Sequence, residues 1–256
     1  MLIRRLSWAG IEIEADNRTA VVDLLADTPA LSRYAGEPRE PLLAPSAAPG
    51  TVAVAAVTHL HSDHFDVEGL ARALAGDAPV LCPQESAETV AAAGLNARGV
   101  DLWDTVAVAG LEFTAAPAVD GFGSPQTSWV VSHGEQRLIH CGDTLWHGHW
   151  WAIADRCGPF QLAFLPANGA IADFDYAQPP SGVSAVLSPE QAAAAAQILQ
   201  AEVAVPIHYG SFHRPPLYIS LPDPEGAFAA ASARRGVATR LLQAGDEIDL
   251  APSPTA

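Results

Sequence analysis

Over the first 24 positions apolar and polar residues alternate around Gly10 and around the turn Asp16-Asn17-Arg18, a period of two that predicts short antiparallel strands ending at Asp23. Residues 27–50 lose that rhythm. Pro29, Pro38, Pro41, Pro45 and Pro49 interrupt any regular element, so this stretch predicts an irregular excursion able to fold over the mouth of a site. Val52 to Val57 is a short apolar, β-branched run of the kind found in strands covered on both faces. It leads into the histidine-rich stretch Thr58 to Asp66, which therefore follows the C-terminal end of a strand.

Downstream the period switches between helix and strand. Residues 66–75 and 84–93 predict helices flanking a strand over 79–82, and 111–116, 127–132 and 136–141 predict strands. Ser188-Pro189-Glu190 places an N-cap serine before a proline at the first helical position and opens an Ala-rich helix to about Gln200. The apolar run Val203 to Ile207 predicts a buried strand with His208 at its end. A helix over 224–235, a strand over 246–250 and a frayed tail from Ala251 complete the reading. No internal repeat is present, and the length suits one α/β domain spanning residues 1–256.

Composition narrows the function. With 49% hydrophobic residues the chain can bury a sizeable core, while a formal charge of −16 repels phosphate backbones and anionic lipid, so neither nucleic acid nor a membrane is an expected partner. All 13 basic residues are arginine, which excludes a Schiff-base lysine and a P-loop lysine. Cys82, Cys141 and Cys157 are odd in number and form no C-x-x-C pair, and no apolar run reaches the length of a signal or membrane segment. A cytoplasmic protein acting on a small molecule is the expectation.

The chemistry concentrates at three strand ends. In the H-x-H-x-D-H string, alternate residues of an extended segment face one side, so His59 and His61 can grip one cation while Asp63 and His64, past the bend, reach a second. Asp143 in Gly142-Asp143-Thr144 follows the strand 136–141 and can bridge both ions. His208 in Pro206-Ile207-His208-Tyr209-Gly210 can close the second shell. Alone, G-D-T is a weak turn signal and a strand-end histidine is more often ordinary packing; in this order the three clusters reinforce one another.

That order resembles the metallo-β-lactamase superfamily over nearly the whole chain. The strands ending at Asp23, the turn Leu165-Pro166-Ala167-Asn168-Gly169, the helix after Ser188-Pro189-Glu190 and the Ile207-His208-Tyr209-Gly210 ending are most similar to its ascorbate-6-phosphate lactonase-like branch. The resemblance implies a four-layer αββα sandwich of two mixed β-sheets. It also implies a two-metal site at one edge with His59, His61, Asp63, His64, Asp143 and His208 as ligands. Two departures stand out. Asp120, in Ala116-Pro117-Ala118-Val119-Asp120-Gly121, occupies the position where the family has a histidine ligand, and the Trp8-Ala9-Gly10 turn lacks a histidine often found in the branch's first hairpin.

If Asp120 binds, three carboxylates and one bridging hydroxide balance two divalent cations, giving a weaker Lewis acid whose oxygen donors shift preference from zinc towards manganese or iron. If it turns away, one ion remains, held by Asp63, His64, Asp143 and His208. The resemblance implies hydrolysis by a metal-bound hydroxide oriented by Asp63, with a small ester or lactone as substrate. A small phosphodiester is the second reading, and a catalytically decayed metal- or ligand-binding protein of the same fold is the third. Tyr209 and His213, beside His208, are candidates to stabilise an oxyanion or protonate a leaving group, against ordinary loop packing. His147 and His149 could line the pocket, although an H-x-H at a helix start does not put both rings on one face. His140 and Cys141 suit the core, and Asp173-Phe174-Asp175-Tyr176 resembles a mobile pocket cover.

Overall fold

In chain order the strands are β1 (Leu2–Arg5), β2 (Ile11–Ala15), β3 (Arg18–Val22), β4 (Val54–Ala56), β5 (Val80–Pro83), β6 (Ala97–Val100), β7 (Thr105–Val108) and β8 (Leu111–Pro117). They continue with β9 (Thr127–His133), β10 (Gln136–His140), β11 (Phe160–Pro166), β12 (Ile171–Ala172), β13 (Ala201–Ile207), β14 (Tyr218–Ile219) and β15 (Glu247–Asp249). The helices are α1 (Ser32–Ala35), α2 (Val67–Ala73), α3 (Ala87–Ala92), α4 (Trp150–Cys157), α5 (Pro189–Ile198) and α6 (Pro224–Arg234). This computed structural model describes residues 1–28 and 30–250; Pro29 and the tail expected to fray from Ala251 lie outside the described residues. Among the described residues no helix is long and apolar enough to cross a membrane.

Two sheets carry the fold, ordered β15-β1-β2-β3-β4-β5-β6 and β13-β11-β10-β9-β8-β7. Each is mixed. In the first, β1, β2, β3 and β15 pair antiparallel and β3 to β6 run parallel; in the second, β7 to β10 pair antiparallel and β10, β11 and β13 run parallel. Between the sheets lies an apolar layer that includes Ile3, Ile11, Ile13, Phe113, Trp129 and Phe164, all fully buried. A second layer packs α4, α5 and α6 on the outer face of one sheet through Trp150, Ile153, Ala192, Ala196 and Phe228. A third packs α2 and α3 on the other through Leu70, Val80 and Val90. Three apolar layers between four structural ones are the αββα sandwich expected from the sequence.

Local chemistry explains the elements that matter for the site. α5 begins at a capping box in which Ser188 Oγ accepts from Gln191 N and Gln191 reaches back to the Ser188 backbone, with Pro189 at the first helical position. Asp66 caps α2 by accepting from Gly69 N, and its carboxylate also accepts from Ala26 N and Asp27 N, tying the segment after β3 to the histidine-rich loop. Trp129 on β9 donates its indole N–H to Val57 O at 3.0 Å, and Thr127 N donates to Thr58 O at 3.0 Å, so the two sheets are joined where that loop begins. A Trp129→Ala change would remove this bond together with a buried ring, a loss of about 3–5 kcal/mol.

Several elements differ from the sequence reading. The proline-rich excursion contains the one-turn helix α1, β6, β7, β11, β12 and β14 have no counterpart in that reading, and α4 is anticipated only as a helix start near His147. β11, Phe160-Gln161-Leu162-Ala163-Phe164-Leu165-Pro166, is apolar almost throughout because both its faces are covered, so it shows no alternation. α4 starts at Trp150, with His149 as its N-cap. His147 therefore lies outside the helix, its ring stacked on Trp150 at 4.1 Å.

Candidate metal centre

The carboxyl ends of β3, β4, β10, β11 and β13 meet at one edge of the sandwich, and each delivers a polar side chain: Asp23, the loop from Thr58, Asp143, Asn168 and His208. Ligand sites of α/β sheets form at such ends because the chain leaves the sheet there with its side chains free. Three non-glycine residues at this edge, Trp8 (φ 60°), Asp23 (φ 49°) and His208 (φ 62°), adopt the left-handed conformation. Such backbone is unfavourable by roughly 1–3 kcal/mol per residue and is held only where its surroundings dictate it. Gly142 (φ +61°) is required before Asp143, since a Cβ there would meet Thr58 Oγ1 at 2.8 Å.

Seven side chains singled out in the sequence converge here. Three overlapping groups have ligand atoms within 4.8 Å of one another: His59, His61, Asp120 and Asp143; His59, Asp63 and His64; and His64, Asp143 and His208. His61 Nδ1 lies 3.5 Å from Asp120 Oδ1, His59 Nε2 3.6 Å from Asp143 Oδ2, and His64 Nε2 3.5 Å from Asp63 Oδ2 and 4.0 Å from Asp143 Oδ2. His208 Nε2 is 3.2 Å from Asp63 Oδ2. Most of these gaps are long for hydrogen bonds but near the roughly 3.0–3.5 Å between ligands that share one ion at about 2.0–2.2 Å.

Asp23 organises the imidazoles from behind. Its Oδ1 accepts from Thr58 N at 2.8 Å, and its Oδ2 accepts from Thr58 Oγ1 at 2.8 Å and from His64 Nδ1 at 2.7 Å. With the Thr58 proton committed to Asp23, Thr58 Oγ1 accepts from His59 Nδ1 at 3.0 Å. Both imidazoles thereby carry a proton on Nδ1 and turn Nε2 towards the cluster. His61 is turned the other way: Ser124 Oγ lies 3.0 Å from its Nε2, leaving Nδ1 to face Asp120. Asp120 is itself anchored, its Oδ2 accepting from Phe122 N at 2.9 Å and Ser124 N at 2.7 Å while Oδ1 points at His61.

The atoms left over test whether a cation belongs here. His59 Nε2, His64 Nε2, Asp120 Oδ1 and Asp143 Oδ1 are buried and have no hydrogen-bond partner among the described residues. Unpartnered buried polar atoms are destabilising by several kcal/mol each, and four converging on one place fit divalent ions. Electrostatics agrees. Burial, aided by the charges of His64 and His61, pulls His59 well below its usual range, and burial pushes Asp143 up against the pull of His64 and His208. Burial opposes ionisation of Asp63 and of His64, yet His64 and His208 hold Asp63 well down, and Asp63 and Asp23 raise His64 to about 10. Nitrogen and carboxylate donors in this ratio suit zinc, manganese or iron.

The site opens into a cavity of about 260 Å³ lined by Asp63, Asp143, His61 and His208 at one end and by aromatic rings at the other. Tyr209 and His213 are not on it. Having turned through the left-handed backbone of His208, the chain sends Tyr209 to the opposite side, where its hydroxyl accepts from Arg5 Nη1 at 2.9 Å in a separate cleft with Glu40 and Glu225. His213 lines a third cleft with Arg39. His140 is a packing residue, its Nε2 donating to Ala9 O at 2.7 Å. His147 and His149 belong to none of the ligand groups.

Four residues at the site carried no role in the sequence reading. Asp23 and Ser124 hold imidazoles. Trp8 donates its indole N–H to Asp63 Oδ2 at 3.0 Å and packs on His208 at 4.1 Å, so the turn lacking a histidine supplies an indole donor instead. Tyr218 lines the cavity and accepts from Asn168 Nδ2 at 2.8 Å, and the Asn168 amide is oriented by Ala170 N, which donates to its Oδ1 at 3.2 Å. An aspartate closing an apolar strand was the one legible signal among them.

Comparisons with known proteins agree with this fold. The family model described as "Beta-lactamase superfamily domain" matches residues 20–209, which runs from the end of β3 and includes every ligand candidate. A protein of Methanoculleus marisnigri named "UPF0173 metal-dependent hydrolase" is 25% identical over 260 residues, covering 97% of each chain. A Deinococcus radiodurans protein of the same name is 28% identical over 84% of this chain and 88% of its own. Among solved structures, Igni18, a metallo hydrolase from Ignicoccus hospitalis, superposes with a TM-score of 0.71 at 18% identity over 96% of this chain and 97% of that one. A sandwich of two mixed sheets, a ligand cluster at the ends of its parallel strands and a family match across three-quarters of the sequence lead to one assignment: the chain belongs to the metallo-β-lactamase superfamily.

Proposed function

We propose that the protein is a metal-dependent hydrolase acting on a small ester- or lactone-type carbonyl. The observation that carries this reading is the convergence of four buried, unpartnered ligand atoms, His59 Nε2, His64 Nε2, Asp120 Oδ1 and Asp143 Oδ1, beside the end of a cavity that His61, Asp63, Asp143 and His208 line. His59, His61, Asp120 and Asp143 would hold one ion, and Asp63, His64, His208 and the shared Asp143 a second. Bound divalent cations supply Lewis acidity and a nucleophilic water at neutral pH. Oxygen donors from Asp120 favour manganese or iron over zinc relative to a histidine there.

The chain's own residues set up the rest. Asp63 reaches the cavity with Oδ2 fixed by Trp8 and His208, a position from which its carboxylate orients the attacking water and takes its proton. Asn168 donates to the Tyr218 oxygen, so the phenol keeps its own proton for the cavity and offers it to the oxygen on which charge develops. Asp23 acts at a distance, fixing the faces that His59 and His64 present. Arginine is absent from the described residues lining the cavity, which favours a carbonyl over a phosphodiester substrate. The relatives named as metal-dependent hydrolases support the same class.

The test is a panel of esters, lactones and phosphodiesters assayed with Mn²⁺, Fe²⁺ or Zn²⁺. Hydrolysis of a carbonyl member, lost by about 10²–10⁴-fold in Asp63→Ala, is expected. A folded protein that is inactive with every metal overturns the proposal in favour of a non-catalytic metal- or ligand-binding protein.

A further inference from the structure

The end of the cavity away from the ligand cluster is built from rings contributed by segments far apart in the chain. Phe174 is central: its ring lies 5.2 Å from Tyr34, 5.5 Å from Phe122, 5.4 Å from Tyr176 and 6.5 Å from Tyr218, stacked on the last two. Trp8 and Phe212, 4.9 Å apart, close the wall beside His208. Tyr176 stands at the rim, 57% exposed, while Phe174 is 8% exposed.

Charge is as informative as shape. The only ionisable groups on the lining are the metal-cluster residues His61, Asp63, Asp143 and His208 and the phenols of the tyrosines; arginine is absent from it among the described residues. Arg33 lies over the ring of Tyr34, Arg214 donates to the carbonyls of Ser32 and Arg33, and Arg5 bonds the Trp8 carbonyl, but none of the three is on the lining. A phosphate or carboxylate on the non-reacting part of a substrate would be buried without a counter-charge, which is unfavourable by several kcal/mol. Away from the cluster, sugar hydroxyls would meet mainly ring surfaces, with the phenols and Ser62 the few polar groups on the described lining. Flat apolar groups gain both area and ring stacking there.

We propose, resting on the hydrolase reading above, that the cavity selects uncharged substrates whose electrophilic carbon carries a planar aromatic group of one or two rings. This separates the protein's specificity from that of the phosphorylated-sugar lactonases its sequence resembles. A volume near 260 Å³ sets the size limit, below the roughly 300–1,000 Å³ of drug-sized pockets. Phe174 and Tyr176 determine the specificity, and the metal ligands do not.

Isothermal titration with two kinds of probe tests it. On metal-loaded protein, 2-naphthohydroxamate and acetohydroxamate chelate through the same group, so their affinity ratio reads the ring contact alone. On metal-stripped protein, 2-naphthalenemethanol needs no ion. At least tenfold tighter binding of the naphthyl hydroxamate is expected, with saturable binding of the alcohol. Both should weaken about fivefold or more in Phe174→Ala and, without touching the core, in Tyr176→Ala. Equal affinity of the two hydroxamates with no binding of the alcohol overturns the proposal and leaves the metal reading intact. Tighter binding of succinohydroxamate, which carries a carboxylate tail, than of the naphthyl compound also overturns it. Equal binding of the alcohol and the naphthyl hydroxamate, with no response to acetohydroxamate, upholds the aromatic cavity and overturns the metal reading.

Discussion

The two ends of the cavity are made in different ways. The ligand end comes from strand termini and is over-determined: Asp23 fixes Thr58 and His64, Thr58 fixes His59, Ser124 fixes His61, and backbone N–H groups fix one oxygen of Asp120. The aromatic end comes from the β1–β2 turn, the excursion around α1, the loop before β9, the loop after β12 and the approach to β14, and its rings are held largely by contacts with one another, with Trp8 and Tyr218 also hydrogen-bonded. On the proposed function, sheet edges carry the reaction and loops carry the choice of substrate, a division that lets one fold serve many substrates.

Breaking the polar contacts should have the larger effects. Tyr218→Phe removes a hydroxyl on the cavity lining whose proton the Asn168 bond leaves free. Steady-state kinetics should show kcat lowered about 10²–10³-fold with KM little changed, the signature of a donor used only in the transition state; a parallel rise in KM would make Tyr218 a wall residue. Asp23→Ala leaves every ligand in place but frees His59 and His64 to rotate. Metal affinity measured against a competing chelator should fall about 10–100-fold, with thermal stability of the metal-free protein also reduced.

A buried imidazole outside both ends sharpens the contrast. His147 stacks on Trp150, has no carboxylate beside it among the described residues, and burial together with His149 pulls it from 6.5 to about 4. Between those values the unfolded chain binds a proton that the folded chain does not. Stability of the metal-free protein should therefore rise with pH across this window, and be lost as pH falls towards 4, by up to about 3 kcal/mol. His147→Gln should flatten that slope in denaturant titrations at pH 4.5 and 7, whereas an unchanged slope would place the effect in the metal cluster.

The same division decides what the sequence reveals. His59, His61, Asp63, His64, Asp143 and His208 stand out because they follow strand ends in the order of a known motif, and Asp120 because it occupies the position where the resembled family has a histidine. Asp23 was visible as a strand terminus but not as the partner of His64, a contact across 41 positions. The aromatic wall is formed by residues spread from Trp8 to Tyr218, each of which alone reads as core; only the Phe174–Tyr176 segment announced itself as a cover. Tyr209 and His213 were drawn in by closeness to His208 in sequence, which the left-handed turn at His208 makes misleading. β11 was passed over because a strand buried on both faces has no period.

Asp120 joins the two ends, since its loop also carries Phe122, and on it the account turns. The decisive measurement is an anomalous-scattering crystal structure of the protein loaded with Mn²⁺ or Fe²⁺. Two ions are expected, one with Asp120 Oδ1 at about 2.0–2.3 Å beside His59 and His61, the other with His64 and His208, and Asp143 between them. An empty first position, or Asp120 turned away from a single ion, would contradict that expectation.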